Sequence, residues 1–153
     1  MSAIKIFEEF ISNKIVKKQT PDKSRAEFLC KEAENSYNLL LNLLEKIKLN
    51  DANANTFVKL SYDIIMELVR AKMLLEGYNA SGFGAHEAEV SYLRILGFNE
   101  NDVQFADQLR FFRNGMLYYG TIIDAEYAQK AINFTKQKYA ILKKMINMSF
   151  ISH

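Results

Sequence analysis

Apolar residues recur at intervals of three and four along most of the chain, the spacing of a helix that buries one face. Ile4, Phe7, Ile11 and Ile15 form the first such series. It runs into "KIVKKQTPDKS", where Thr20 followed by Pro21 reads as an N-cap with proline at the first helical position. The second series, Leu29, Ala33, Tyr37, Leu40, Leu41, Leu44 and Ile47, is separated by the polar "KLNDANANT" from a third. Phe57, Leu60, Ile64, Leu68, Ala71 and Leu75 lie on that third stripe, and Gly77 reads as its C-terminal stop. A short helix is expected over 85–96, closed by Gly97. Asn99 is expected to cap the next helix, which is read as running to Gly120. Asp124 then caps a last helix whose stripe includes Tyr127, Ala131, Phe134, Leu142 and Met145.

No segment alternates in the strict period of two that marks a half-buried strand. The pattern therefore predicts an all-α, up-and-down bundle of five to six helices, with sequential neighbours largely antiparallel because the connections are short. Residues 1–153 form one domain, with 1–20 as an N-terminal helical extension and 21–148 as the bundle core.

Composition narrows the chemistry. A single proline and six glycines are too few for a protein built of tight β turns. The glycine-rich "GYNASGFGAHE" is preceded by no strand and followed by no Gly-Lys-Ser/Thr, so it reads as a flexible loop and not as a phosphate cradle. The lone Cys30 leaves no intrachain disulfide, and no apolar run approaches the roughly 20 residues needed to span a bilayer. A cytoplasmic protein without membrane association is expected. With only His86 and His153, a histidine-rich metal site or a histidine triad is not expected, and no metal or cofactor is called for. The formal net charge of +2 is too small to announce nucleic-acid binding by itself, so any RNA or phosphate site must be local.

One local concentration of chemistry stands out, "LRFFRNGMLYYG" at 109–120. Treated as continuous helix, it places Phe105, Leu109, Phe112, Met116 and Tyr119 within roughly 80° of arc as the core face. Arg110, Arg113, Asn114, Leu117 and Tyr118 then occupy another arc about 140° wide, directed away from the core. Asn114 and Tyr118 would be i,i+4 neighbours, as would Arg110 and Asn114. A plainer reading has Arg110 and Arg113 solvated and paired with Asp107 or Asp102. The apolar bulk of Phe111, Leu117 and Tyr118 beside the polar patch favours a covered surface, and a second copy of the chain is the economical cover.

At these residues the chain resembles the HEPN domains, over about Ser24 to Met145. Family members are four- to five-helix bundles that usually dimerise, with a motif of Arg, often Asn, three further residues and His. Arg113 and Asn114 match its first two positions, and Tyr118 stands where the histidine would be. In active members the motifs of two subunits meet across a dimer groove and cleave RNA without a metal. The resemblance implies that Arg113 holds the scissile phosphate and that Asn114 orients groups by hydrogen bonding. Tyr118 would donate a proton, stack on a base or bind a phosphate, since a phenol near pKa 10 is a poor general base. Arg110, Arg113 and Tyr119 would contribute to RNA or nucleotide binding.

A subgroup of toxins paired with minimal nucleotidyltransferases carries a tyrosine two residues beyond the histidine, a position held here by Gly120. A small nucleotidyltransferase or an antitoxin is accordingly an implied partner. His86 is read as a capping or partly buried structural histidine. The favoured function is a dimeric module that binds RNA, a nucleotide or a partner protein, with catalysis weak or silent. The alternatives are a metal-independent endoribonuclease toxin and a purely structural helical dimer.

Overall fold

The computed structural model describes residues 3–115 and 120–152. In chain order these form α1 (Phe7–Ser12), β1 (Val16–Lys18), α2 (Lys23–Lys46), α3 (Ala54–Leu75), β2 (Tyr78–Ala80), α4 (Ala85–Ile95), α5 (Glu100–Arg113) and α6 (Ala125–Ser152). The fold is an all-α bundle carrying one two-stranded ribbon among the described residues.

α3 is its axis, packed by α2, α4, α5 and α6. The expected stripe of Phe57, Ile64, Leu68, Ala71 and Leu75 is buried, but so are Val58, Ile65, Met66, Val69, Met73 and Leu74. A helix apolar on most sides is what a central position requires. α2 runs antiparallel to α3, the Asp22 amide near its start donating to the Leu74 carbonyl at the end of α3. α6 instead runs parallel to α3. Thr135 Oγ1 donates to the Ser61 carbonyl at 3.2 Å, and further along both helices Lys72 Nζ donates to Ser149 Oγ. α5 is antiparallel to α6, with the Phe105 and Phe134 rings 5.0 Å apart and Lys138 Nζ 3.2 Å from Asp102.

The first helix is shorter than its apolar spacing predicts. Lys14 adopts φ 62°, its amide donates to the Ile11 carbonyl, and the Ile15 amide reaches back to the Phe10 carbonyl. This pairing of amides terminates a helix through one left-handed residue, at a cost of about 1 kcal/mol when that residue is not glycine. The termination frees the next residues to pair as a strand. Val16, Lys17 and Lys18 face Ala80, Asn79 and Tyr78 in antiparallel register, so part of the expected glycine loop is β2. Neither segment alternates, because three residues are too few to establish a period. The N-terminal segment joins the main core: Ile4, Phe7, Phe10 and Val16 are buried, and the Phe7 ring packs edge-on against Tyr78 and Tyr92.

Other boundaries move by small, explicable amounts. α2 is capped by Asp22, whose carboxylate accepts the Arg25 amide at 3.0 Å, and not by Thr20. Residue 19 is held elsewhere, since the Gln19 amide donates to the Gly77 carbonyl at 2.8 Å. That approach is close enough that a Cβ on Gly77 would lie 2.6 Å from the Gln19 carbonyl oxygen. Only glycine fits there. Along α2, Ala33 and Leu40 of the expected inner face are buried, whereas Ile47 lies past the helix end and is exposed. The caps expected at Asn99 and Asp124 are present, accepting the Asp102 amide at 2.9 Å and the Tyr127 amide at 2.8 Å.

The end of α5 departs most from expectation. The helix stops at Arg113, with Asn114 as its C-cap and Gly115 at φ +77°, where the Gly115 amide donates to the Phe112 carbonyl. Glycine enters this left-handed conformation without the Cβ penalty, and it ends the helix. The continuous arc expected from Arg110 to Tyr118 therefore does not form. Met116, Leu117, Tyr118 and Tyr119 lie outside the described residues. No helix among the described residues is long and apolar enough to cross a membrane.

Candidate functional site

Three charged positions in the middle of the largely apolar α3 fall together: Asp63, Glu67 and Arg70. Spaced by four and three, they share one helical face. Opposite them stand His86 in the first turn of α4 and, at the end of α5, Arg113 and its C-cap Asn114. Together with Tyr62 and Met66 these residues line a cleft of about 540 Å³. Two of the three expected catalytic residues, Arg113 and Asn114, are thus brought to one concavity. Tyr118 and Tyr119 lie outside the described residues.

Arg113 crosses to α3, donating from Nε to Asp63 Oδ1 at 3.0 Å; both side chains are 42% exposed. An ion pair this open contributes little stability and exchanges partners with solvent anions readily. Arg70 is held far more firmly. Its Nε and Nη2 donate to the two carboxylate oxygens of Glu89 at 2.6 and 3.0 Å, with Glu89 only 4% exposed. Those hydrogen bonds, opposed by burial, raise the guanidinium's already high pKa. Glu89 also receives His86: Nδ1 lies 3.2 Å from Oε1. His86 itself is 61% exposed, so it is neither the helix cap, which is Gly84, nor a buried structural histidine.

Glu67 has a different environment. Burial, reinforced by Asp63 and Glu32 and opposed by Arg70, raises its carboxyl to about 7. Beneath it Tyr62 is buried, and its hydroxyl has no hydrogen-bond partner among the described residues. Burial, then Glu89, pushes that phenol well above its ordinary range.

Because the Glu67 carboxyl titrates higher in the fold than in the unfolded chain, the folded state binds its proton more tightly, and stability falls as pH rises from 4.5 to about 7. Glu67→Gln removes the ionised form. At pH 8 it is expected to be more stable than wild type by about 1–2 kcal/mol, discounted for partial exposure, with the difference vanishing near pH 4. Urea denaturation at the two pH values reads this directly; an equal effect at both would refute it.

Arg110 does not share the outward patch expected for it. It is 9% exposed, donates to the buried Asp107 at 2.8 Å and stacks over the Phe111 ring at 4.6 Å. The plainer expectation of pairing with Asp107 therefore holds for Arg110, while Arg113 pairs with Asp63 and Asp102 with Lys138. Burial raises the Asp107 carboxyl even with Arg110 beside it. Arg110 nonetheless lines a second hollow of about 430 Å³, which shares His86 and Asn114 with the first and has Phe83 on its rim, 97% exposed. The two hollows meet along those shared residues.

The residues that sequence reasoning missed are Asp63, Glu67, Arg70 and Glu89. A signal for the first three was present in the charged interruptions of an apolar helix, a pattern that marks a face not packed against core. Glu89 carries no comparable mark, since its burial depends on Arg70 arriving from another helix. Compared with known proteins, the chain matches no family model, no curated protein and no solved structure.

Proposed function

We propose that this chain is a HEPN-like module that binds RNA or a nucleotide in the cleft between α3, α4 and the end of α5, and that it works as a homodimer. The observation that carries the reading is the convergence of Arg113 and Asn114 with Arg70 and His86 on one concave surface from three helices. Arg113 is the group able to exchange its present partner for a phosphate, because its bond to Asp63 is exposed. Asn114 offers an amide that donates and accepts, and the rim aromatic Phe83 suits stacking by a base.

The test is binding of a labelled oligoribonucleotide and of a mononucleotide, followed by fluorescence anisotropy. Arg113→Ala is expected to weaken binding about 10- to 100-fold, the worth of one charge-assisted hydrogen bond, and to lower the salt dependence by about one ion. Its unfolding free energy should change by less than about 1 kcal/mol, because an exposed pair is lost. Unaltered affinity in Arg113→Ala would sink the reading. The dimer is tested separately by sedimentation equilibrium, where a monomer at high concentration removes the shared groove.

A second reading, a metal-independent endoribonuclease acting as a toxin with a nucleotidyltransferase or antitoxin partner, is favoured by one specific observation. Glu67 places in the same cleft a carboxyl that titrates at about 7, where a side chain exchanges protons most effectively at neutral pH.

A further inference from the structure

Two carboxylates line the cleft, and only one of them has a partner. Asp63 accepts from Arg113 at 3.0 Å. Glu67, half-buried on the next turn of α3, accepts no side-chain hydrogen bond from any described residue. A carboxylate drawn partly out of water without a donor is costly, and a ligand that brings N–H groups offsets the cost. Arg70, three residues on and on the same face, does not supply them. Its Nε and Nη2 are turned to Glu89, which holds the guanidinium in a fixed direction. Nη1 has no partner among the described residues, and Arg70 lines the same cleft. Residues three apart on a helix have their Cβ atoms about 5–6 Å from each other. One stretch of α3 therefore presents two acceptor oxygens and, beside them, a preorganised donor.

The complement is a flat edge that reads donor, donor, acceptor. Among the four RNA bases the Watson–Crick edge of guanine alone has that order, in the N2 amino group, N1–H and O6. Adenine offers one donor and one acceptor there, and uracil a single donor between two acceptors. The geometry points to guanine as the base that this cleft selects, with its N1 and N2 hydrogens donated to the Glu67 carboxylate and its O6 accepting from Arg70 Nη1. This deepens the proposed binding function and rests on it, with Arg113 and Asn114 on the facing wall left to hold phosphate and ribose. A volume of about 540 Å³ has room for one nucleotide.

Only the ionised carboxylate accepts both hydrogens, and burial sets the Glu67 carboxyl at about 7. The charged and titratable groups around it are Asp63 and Arg70 on α3, Glu32 on α2, His86 on α4 and Arg113 on α5. Below pH 7 the protonated carboxyl presents one donor and one acceptor, which match N1 and N6 of adenine. The ratio of guanine to adenine affinity should thus rise about tenfold from pH 6 to pH 8, as the ionised fraction grows from about one tenth to about nine tenths. Taking the ratio cancels the titration of the nucleotide phosphate and of His86, which both ligands share.

The experiment is calorimetric titration of the full chain with GMP, IMP and AMP, and with oligouridylates that carry one guanine or one adenine. At pH 8 GMP is expected to bind about 10- to 100-fold more tightly than AMP. IMP, which lacks the N2 amino group, should fall between them. Glu67→Gln, which keeps the fold, should erase the guanine preference and its pH dependence while AMP affinity changes little. A preference confined to the oligonucleotides identifies RNA as the source of the base; one of equal strength with GMP identifies the free nucleotide. Either outcome supports guanine selection. A guanine preference that survives in Glu67→Gln overturns the proposal. Equal affinity of wild type for GMP and AMP, each weakened by Arg113→Ala, overturns it and leaves the binding function intact. Failure of every ligand to bind removes both.

Discussion

Arg70→Leu is expected to destabilise the fold by about 3–5 kcal/mol at pH 8, measured by urea denaturation. The reason is the partner it abandons. Glu89 is 4% exposed and receives two hydrogen bonds from Arg70, leaving only His86 Nδ1 when they are removed. A buried carboxylate so deprived is costly while ionised. The loss should therefore be largest at alkaline pH and shrink toward pH 4, as protonation relieves the charge. Arg70→Leu combined with Glu89→Leu should recover most of the stability, since replacing both members of a buried pair by apolar groups is often near neutral. A single variant within about 1 kcal/mol of wild type at pH 8 would show that water already satisfies Glu89. The same substitution releases the group that orients His86, so the wall of the cleft and the stability of α3 against α4 are one structural problem.

Phe112→Ala is expected to cost about 3–5 kcal/mol, the usual range for truncating a buried aromatic, and to lower the unfolding temperature by roughly 10 °C. Phe112 is 1% exposed in the last turn of α5, its ring 5.0 Å from that of Tyr127 and edge-on to it. Tyr127 is itself tied back to α5 by a 2.6 Å hydrogen bond from its hydroxyl to Gln108 Oε1. This anchor holds the helix end from which Arg113 and Asn114 enter the cleft. Ligand affinity should fall with stability in Phe112→Ala, and both should largely return in Phe112→Leu, which refills most of the volume. Loss of affinity persisting in a fully stable Phe112→Leu would mean that the ring, not its packing, serves the site.

The two predictions concern residues that differ in how visible they are along the chain. Phe112 falls on an apolar stripe with Leu109, and its burial follows from helical period alone. The same is true of Leu68 and Ala71 on α3 and of the caps at Asn99 and Asp124, each of whose side chains accepts an amide three residues on. Arg70 and Glu89 are nineteen positions apart and become partners only when α4 folds back on α3. Arg110 shows the converse. Its helical angle agrees with an exposed position, but Asp107 and the Phe111 ring draw it into a buried ion pair. Side-chain reach of several ångströms overrides the angle at which the Cβ leaves the backbone.

Helix termination follows the same division. Gly115 was visible as a glycine between Asn114 and Met116, and its left-handed φ ends α5. An apolar pattern that continues past it does not encode that stop, since period records which face is buried and not where the backbone turns. The stop at Lys14 is less visible still, because lysine rarely adopts a left-handed conformation and does so here beside a strand, Val16–Lys18, whose partner Tyr78–Ala80 is distant in the chain.

Local, short-range information thus established the helical class, most element centres, two of the caps and Arg113 with Asn114 as the polar pair of interest, though not that they stand at a helix end. Those features depend on residues within a turn or two of one another, and the forces that set them act over that range. Tertiary packing alone chose the company that Arg113 and Asn114 keep: Asp63, Glu67 and Arg70 from α3 and His86 from α4. It also decided that Glu89 would be buried and Glu67 half dehydrated. Burial and the charges of other helices set those environments, and neither quantity exists for a residue until the chain has closed around it.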